Sequence, residues 1–96
     1  MGRSISINNL SDERLMNLAG KGSKDAFSII YERYYNKMLN FFFRMLNSNE
    51  EKSRDFAHDL FLKLIEKPQR FDQSKRLRPW LYTIASNMCK NEYRSQ

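Results

Sequence analysis

Apolar residues recur along this chain at intervals of three and four, the rhythm of helices with one buried face. No stretch alternates polar and apolar long enough to read as a strand. A short helix is predicted from about Asp12 to Ala19, capped by Asn9 or Ser11, with Asp12 and Glu13 suited to its first turn. Gly20 and Gly22 break the chain, and Ser23 can cap a long second helix reaching about Leu46. Its apolar set is Phe27, Ile30, Tyr31, Tyr34, Met38, Phe41, Phe42 and Met45. The run Phe41-Phe42-Phe43 is too wide for one stripe, so this helix should pack on more than one side. Asn47-Ser48-Asn49 ends it, and Ser48 with Glu51 has capping-box spacing for a third helix ending near Glu66, before Pro68. Pro79 suits the first turn of a fourth helix running to about Arg94. The expected fold is all-α, a bundle of about four helices.

With 96 residues the chain has the size of one small domain. Its 14% aromatic content argues against intrinsic disorder. The only cysteine, Cys89, has no internal disulfide partner, which fits a reducing, cytoplasmic setting. There is no apolar run of membrane-spanning length and no signal-peptide pattern. Met1-Gly2 with Ser6 matches the loose N-myristoylation pattern, which competes with a simple N-terminal tail.

The net charge of +6 points to an anionic partner, and its distribution sharpens this. Residues 1–67 carry 11 basic and 9 acidic side chains, whereas residues 68–96 carry 6 basic and 2 acidic. Projected at 100° per residue, helix three places Phe56, Ala57, Leu60, Phe61 and Leu64 on a core side. Asp55, His58, Asp59, Lys63 and Glu66 fall opposite, with Leu62 among them. Leu62 is either a stray surface leucine or an apolar anchor ringed by charge. In helix four, Leu77, Trp80, Leu81, Ile84, Ala85 and Met88 form the apolar stripe. Thr83, Asn87, Lys90 and Arg94 make a narrow stripe beside it, with Asn91 at its edge. Lys and Arg there can meet phosphates and Asn can meet base edges. Arg70, Lys75, Arg76 and Arg78 lie just upstream and favour nucleic acid over an ordinary wet face. Trp80 reads as core, and Tyr82 as surface or second-layer packing.

Catalysis has little to build on. A base needs a nucleophile within reach, and the lone His58 has none nearby in sequence. Cys89 projects to the margin of the apolar stripe. Asp55 and Asp59 read as surface charge, one Cys and one His make no zinc site, and Gly20-Lys21-Gly22 is no phosphate loop. No cofactor and no metal is expected.

The stretch SRDFAHDLFLKLIE followed by RPWLYTIASNMCKNEYR, with the opening DERLMNLAGKGSKDAFSIIYERYYNKMLNFFFRML, resembles region 2 of the extracytoplasmic-function (ECF) sigma factors. The likeness covers about Leu10 to Arg94. It implies a non-enzymatic helical domain of bacterial transcription initiation. Such a domain docks on the clamp helices of the RNA polymerase β′ subunit, and recognises and melts the −10 promoter element by holding bases of the non-template strand. Polymerase-binding positions fall on Asp55, His58, Asp59, Leu62 and Lys63, with His58 where the family more usually has Gln. Promoter-contacting positions fall on Arg76, Arg78, Asn87, Lys90, Asn91 and Arg94, and Thr83 stands where many members carry Arg.

The expected division is a flexible N-terminal tail over residues 1–10 and the region 2 domain over 11–96. The family's region 4 domain has no counterpart in these residues. An anti-sigma factor is a further partner of the kind this family has, and no membrane partner is implied. The competing reading is a helical protein-interaction module whose basic charge is incidental. Salt-sensitive affinity for single-stranded DNA separates the two.

Overall fold

The computed structural model describes residues 7–94. A 3-10 turn, Ile7–Asn9, precedes four α-helices: α1 Asp12–Gly20, α2 Lys24–Met45, α3 Glu50–Glu66 and α4 Leu77–Arg94, with a second 3-10 turn, Pro68–Arg70, between the last two. There is no strand among the described residues. Each of the first three helices is started by the residue before it. The Ser11 and Ser23 hydroxyls accept from the amides of Arg14 and Ala26, each at 3.1 Å, and Asn49 Oδ1 accepts from the Lys52 amide at 3.0 Å. These caps satisfy amides that have no partner inside the helix.

The cap of α3 is therefore Asn49, one residue beyond the expected Ser48 box. Asn47 and Ser48 both adopt left-handed backbone, with φ of 57° and 60°. A helix cap needs extended backbone, which Asn49 has at φ −81° and ψ 103°. The two left-handed residues turn the chain out of α2, and the capping role passes to the next residue able to take it.

The long helix α2 is the axis of a molecule 57 × 23 × 19 Å in extent. Its buried row, Ala26, Ile30, Tyr34, Met38 and Phe42, repeats every four residues. It packs on α1, α3 and α4, as the aromatic run implied. Tyr31 and Met45, expected in the stripe, are exposed on its flanks, as is Phe43. Tyr31 nevertheless stacks on Tyr35 at 5.1 Å and leans on Phe61 of α3 at 4.8 Å. From α3 the core takes Ala57, Leu60, Phe61 and Leu64.

In α4 the fully buried row is Leu77, Leu81, Ala85 and Cys89. This row lies one step round the helix from the expected stripe. Cys89 is inside, and Trp80, Ile84 and Met88 are only partly covered. The reason is tertiary: α4 packs on α2 and α1 as well as on α3, and hollows open along its α3-facing flank. Tyr82 packs edge-on against Phe41 at 5.4 Å, a second-layer contact.

A polar clip joins the chain's start to α2. Asp12 takes Arg33 at 2.8 Å through one carboxylate oxygen and the Tyr34 hydroxyl through the other. Arg33 also donates to the Asn8 carbonyl at 2.6 Å. Burial, reinforced by the bond to Asp12 and its negative charge, pushes the Tyr34 hydroxyl pKa well above the ordinary tyrosine range. Within the span expected as a tail, Ile7 and Leu10 pack on the core and Asn8 is tied to Arg33. Residues 1–6, including the myristoylation pattern, lie outside the described residues.

Candidate nucleic-acid and protein interface

Two surfaces carry the candidate residues, and the open flank of α4 joins them. On α4, Thr83, Asn87, Lys90 and Arg94 are all exposed and occupy an arc of about 60°. Asn91 is exposed at the edge nearer α3. The Thr83 hydroxyl donates back to the Pro79 carbonyl at 3.0 Å, so this position presents a short capped hydroxyl between cationic neighbours.

Upstream, Asp72 shapes the basic loop. Its Oδ1 accepts from the Ser74 amide at 2.9 Å and the Ser74 hydroxyl at 2.7 Å, and the Lys75 amide closes the turn on the Asp72 carbonyl at 2.9 Å. These bonds, the hydroxyl's foremost, hold the Asp72 carboxyl below the usual range. Arg70, Lys75 and Arg76 remain exposed around this turn. Arg78 departs from the group: at 100° per residue it projects to the side of α4 opposite the stripe, and its charge reaches the Tyr34 hydroxyl.

Three hollows run along the flank where α3 and α4 stand apart. A groove of about 390 Å³ lies between the loop and α4, lined by Lys75, Arg76, Pro79, Trp80 and Thr83. A cleft of about 170 Å³ follows, with Lys63, Lys67 and Arg70 around a floor of Leu64, Trp80 and Ile84. A third, of about 240 Å³, is bordered by Phe56, Asp59, Lys63, Met88, Asn91 and Glu92. Trp80 stands between the first two, braced by Phe71 at 5.1 Å, and lines both. It is a wall of the site, not the core residue expected from the projection. Among the described residues the ion pairs are Arg33–Asp12, Lys52–Glu92 and Arg54–Glu50. Lys63, Lys67, Arg70, Lys75, Arg76, Lys90 and Arg94 thus face solvent with no carboxylate in salt-bridge range.

The outer face of α3 has a different character. Asp55, His58 and Asp59 are exposed around Leu62, which is 40% exposed. Ile65, which the helical projection did not single out, is 50% exposed and extends the apolar strip one turn. Lys63 lines both α3–α4 hollows and so belongs geometrically to the cationic flank as well as to its helix. Lys67 and Ile84 were also missed as site residues. The spacing of Lys63, Lys67 and Arg70, four then three, is the signal that points to Lys67; Ile84 is brought in only by packing.

No group of three or more His, Cys, Asp or Glu side chains able to hold a metal occurs among the described residues. Burial pushes the Cys89 thiol pKa up, the opposite of what a nucleophile needs. No helix of the described residues is long and apolar enough to cross a membrane.

The family description Sigma-70 region 2 matches residues 30–96. RNA polymerase sigma factor YlaC of Bacillus subtilis is 35% identical over 71 residues, 74% of this chain and 40% of that protein. The ECF sigma factor SigW of the same organism is 32% identical, over 79% of this chain and 40% of its own. The ECF sigma-E factor of Haemophilus influenzae is 30% identical, over 91% of this chain and 45% of its own. The chain thus spans less than half the length of these curated relatives. Among solved structures, an engineered region 2 of sigmaE, determined by NMR in complex with GTAAAA, superposes with a TM-score of 0.78 at 29% identity. That match covers 91% of this chain and 90% of the other. Four helices in the arrangement of that domain, with the sequence match running through α2, α3 and α4, lead to one assignment: the chain belongs to the sigma-70 region 2 family and is the region 2 domain of an ECF-type sigma factor.

Proposed function

We propose that the domain binds the RNA polymerase core through the outer face of α3 and captures single-stranded −10 promoter DNA along the open flank of α4. The observation that carries this reading is the run of cationic hollows on either side of Trp80. The cleft of Lys63, Lys67 and Arg70 over Leu64, Trp80 and Ile84 offers an apolar floor to one extruded base and three cations to its phosphates. The groove of Lys75, Arg76, Pro79 and Thr83 on the other side of Trp80 takes the adjoining stretch of strand. Beyond them Asn87, Asn91, Lys90 and Arg94 continue the track, the amides toward base edges and the cations toward phosphates. Extruding a base costs a few kcal/mol, which stacking on Trp80 and phosphate neutralisation offset. No bond is made or broken in this step, so no catalytic group is needed.

Arg76 and the α4 residues serve the strand. Arg78, on the far side of the helix, acts on backbone phosphates only where the DNA wraps round the start of α4. On α3, Asp55, His58, Asp59 and Lys63 ring Leu62 as a polar rim rings an apolar anchor. This is the face proposed for the clamp helices of the β′ subunit.

The test uses two assays on the 96-residue chain: binding to a β′ clamp-helix fragment, and binding to a GTAAAA single strand across a salt series. Asp59→Arg is expected to abolish clamp binding and keep or raise strand affinity. Asn87→Ala with Lys90→Ala is expected to do the reverse. Replacing Lys67 and Arg70 by Ala should flatten the salt dependence of strand binding by about 1.4 in log–log slope, because two phosphates are no longer neutralised. Both face variants failing both assays equally would sink the assignment of faces. A strand affinity indifferent to salt would leave a helical protein-interaction module instead.

A further inference from the structure

The start of α4 differs from the starts of α1, α2 and α3. Residues 11, 23 and 49 cap their own helices. The residue before α4 is Arg76, whose side chain only donates and cannot cap. Lys75, Arg76 and Arg78 also crowd the end of the helix where the backbone dipole is already positive, an unfavourable placement. The acceptor comes from 64 positions earlier: Glu13 Oε2, in the first turn of α1, takes the Leu77 amide at 2.7 Å.

The geometry points to Glu13 as a positioning residue for promoter recognition, an inference that rests on the DNA-binding reading above. Leu77 is fully buried and Glu13 partly so, which shelters the bond from water. The segment between the Asp72–Lys75 turn and Leu77 is a single residue, Arg76. Fixing Leu77 therefore fixes Arg76 and, one turn on, Pro79 and Trp80, the walls of the loop groove. The neighbouring Asp12 holds Arg33 and Tyr34 of α2, so one helical turn registers α4 against the central helix. Without Glu13, the first turn of α4 frays in part of the population. Strand affinity falls with the competent fraction, and base discrimination falls most because it needs the walls in place.

Three substitutions separate the roles of this carboxylate. Glu13→Gln keeps an acceptor of the same reach and loses the charge. Glu13→Asp keeps the charge and loses the reach. Glu13→Ala loses both. The readouts are hydrogen exchange of the Leu77 amide, the ratio of affinities for GTAAAA over a scrambled hexamer, and binding to polymerase core. Glu13→Ala and Glu13→Asp are expected to speed Leu77 exchange roughly tenfold and to lower the ratio about three- to tenfold, with polymerase binding within about twofold of wild type. Glu13→Gln is expected to stay near wild type in all three. If Glu13→Ala fails to fold, the Gln and Asp variants carry the comparison. Faster Leu77 exchange with an unchanged ratio overturns the inference, as does a Gln variant that fails where the Asp variant succeeds. A wild-type domain that does not distinguish the two strands overturns the promoter reading and takes this inference with it; the Leu77 exchange data then identify the cap as purely structural.

Discussion

The α1–α2 side of the molecule and the α3–α4 side are built from similar amphipathic helices and reach opposite ends. On the first side the helices pack along their length, and the polar groups at their junction, Asp12, Arg33, Tyr34 and Asn8, satisfy one another. On the second side α3 and α4 stand apart but for the Lys52–Glu92 ion pair at one end, three hollows lie between or beside them, and Lys63, Lys67, Arg70, Lys75 and Arg76 are in no ion pair among the described residues. The closed side holds α4 in place, through Leu77, Leu81, Ala85 and Cys89 against α2 and through Glu13 at its first amide. That leaves the opposite flank of α4 free to remain unfilled. A domain this small has little stability to spare, and it concentrates that stability on one side so that the other keeps cavities and unpaired charge.

The sharpest way to break this comparison is a pair of aromatic deletions. Phe42→Ala, in the fully buried row of α2, is expected to cost about 3–5 kcal/mol in urea unfolding and to take every binding activity with it. Trp80→Ala is expected to leave the domain folded and to weaken single-strand binding by about 1–3 kcal/mol. Equal loss of stability in the two variants would mean that the open flank is part of the common core. Next in size, Asp12→Ala strands the Tyr34 hydroxyl and should destabilise by about 1–3 kcal/mol. Adding Tyr34→Phe removes the stranded group and should recover part of that loss; no recovery would locate the cost in Arg33 instead.

A pH series probes the same closed side. The Tyr34 hydroxyl and the Cys89 thiol both have pKa values raised by folding. Each therefore contributes stability that is complete below its unfolded pKa and declines as pH rises past it, near 8.5 for the thiol and near 10 for the phenol. Melting temperature should fall from about pH 8 to about pH 10.5, and Cys89→Ala should flatten the first part of the fall. A flat wild-type profile would show that neither group is sheltered in solution. The smallest effect is expected at the α2–α3 connection. Ser48→Gly relieves a left-handed backbone at φ 60° and should raise stability by about 0.5–1 kcal/mol without changing strand or polymerase affinity.

Much of this architecture is legible in the sequence alone. The three-and-four rhythm, Ser11 and Ser23 as caps, Gly20 and Gly22 as breaks and Pro79 in the first turn of α4 together determine the four helices to within a residue or two. Local chemistry decides these features: a hydroxyl beside free amides and a ring that fixes φ act the same way in any fold. The acidic face of α3 around Leu62 and the stripe Thr83–Asn87–Lys90–Arg94 are legible for the same reason, since side chains on one helix face are neighbours whatever the helix packs on.

What the sequence could not decide was everything set by how far one helix stands from another. Projection placed Trp80 and Met88 in the core and Cys89 at its margin, because it locates the apolar arc without saying which edge a neighbour covers. Only the lean of α4 onto α2 and α1 put Cys89 inside and turned Trp80 into a wall. The same lean gathered Lys63, Lys67 and Arg70 from α3 and the loop over Ile84 of α4. The bond from Leu77 to Glu13 spans 64 residues and leaves no trace in any local pattern. Helices are specified by neighbours in the chain; hollows, walls and the cap of α4 are specified by neighbours in space, and only the packed structure brings those together.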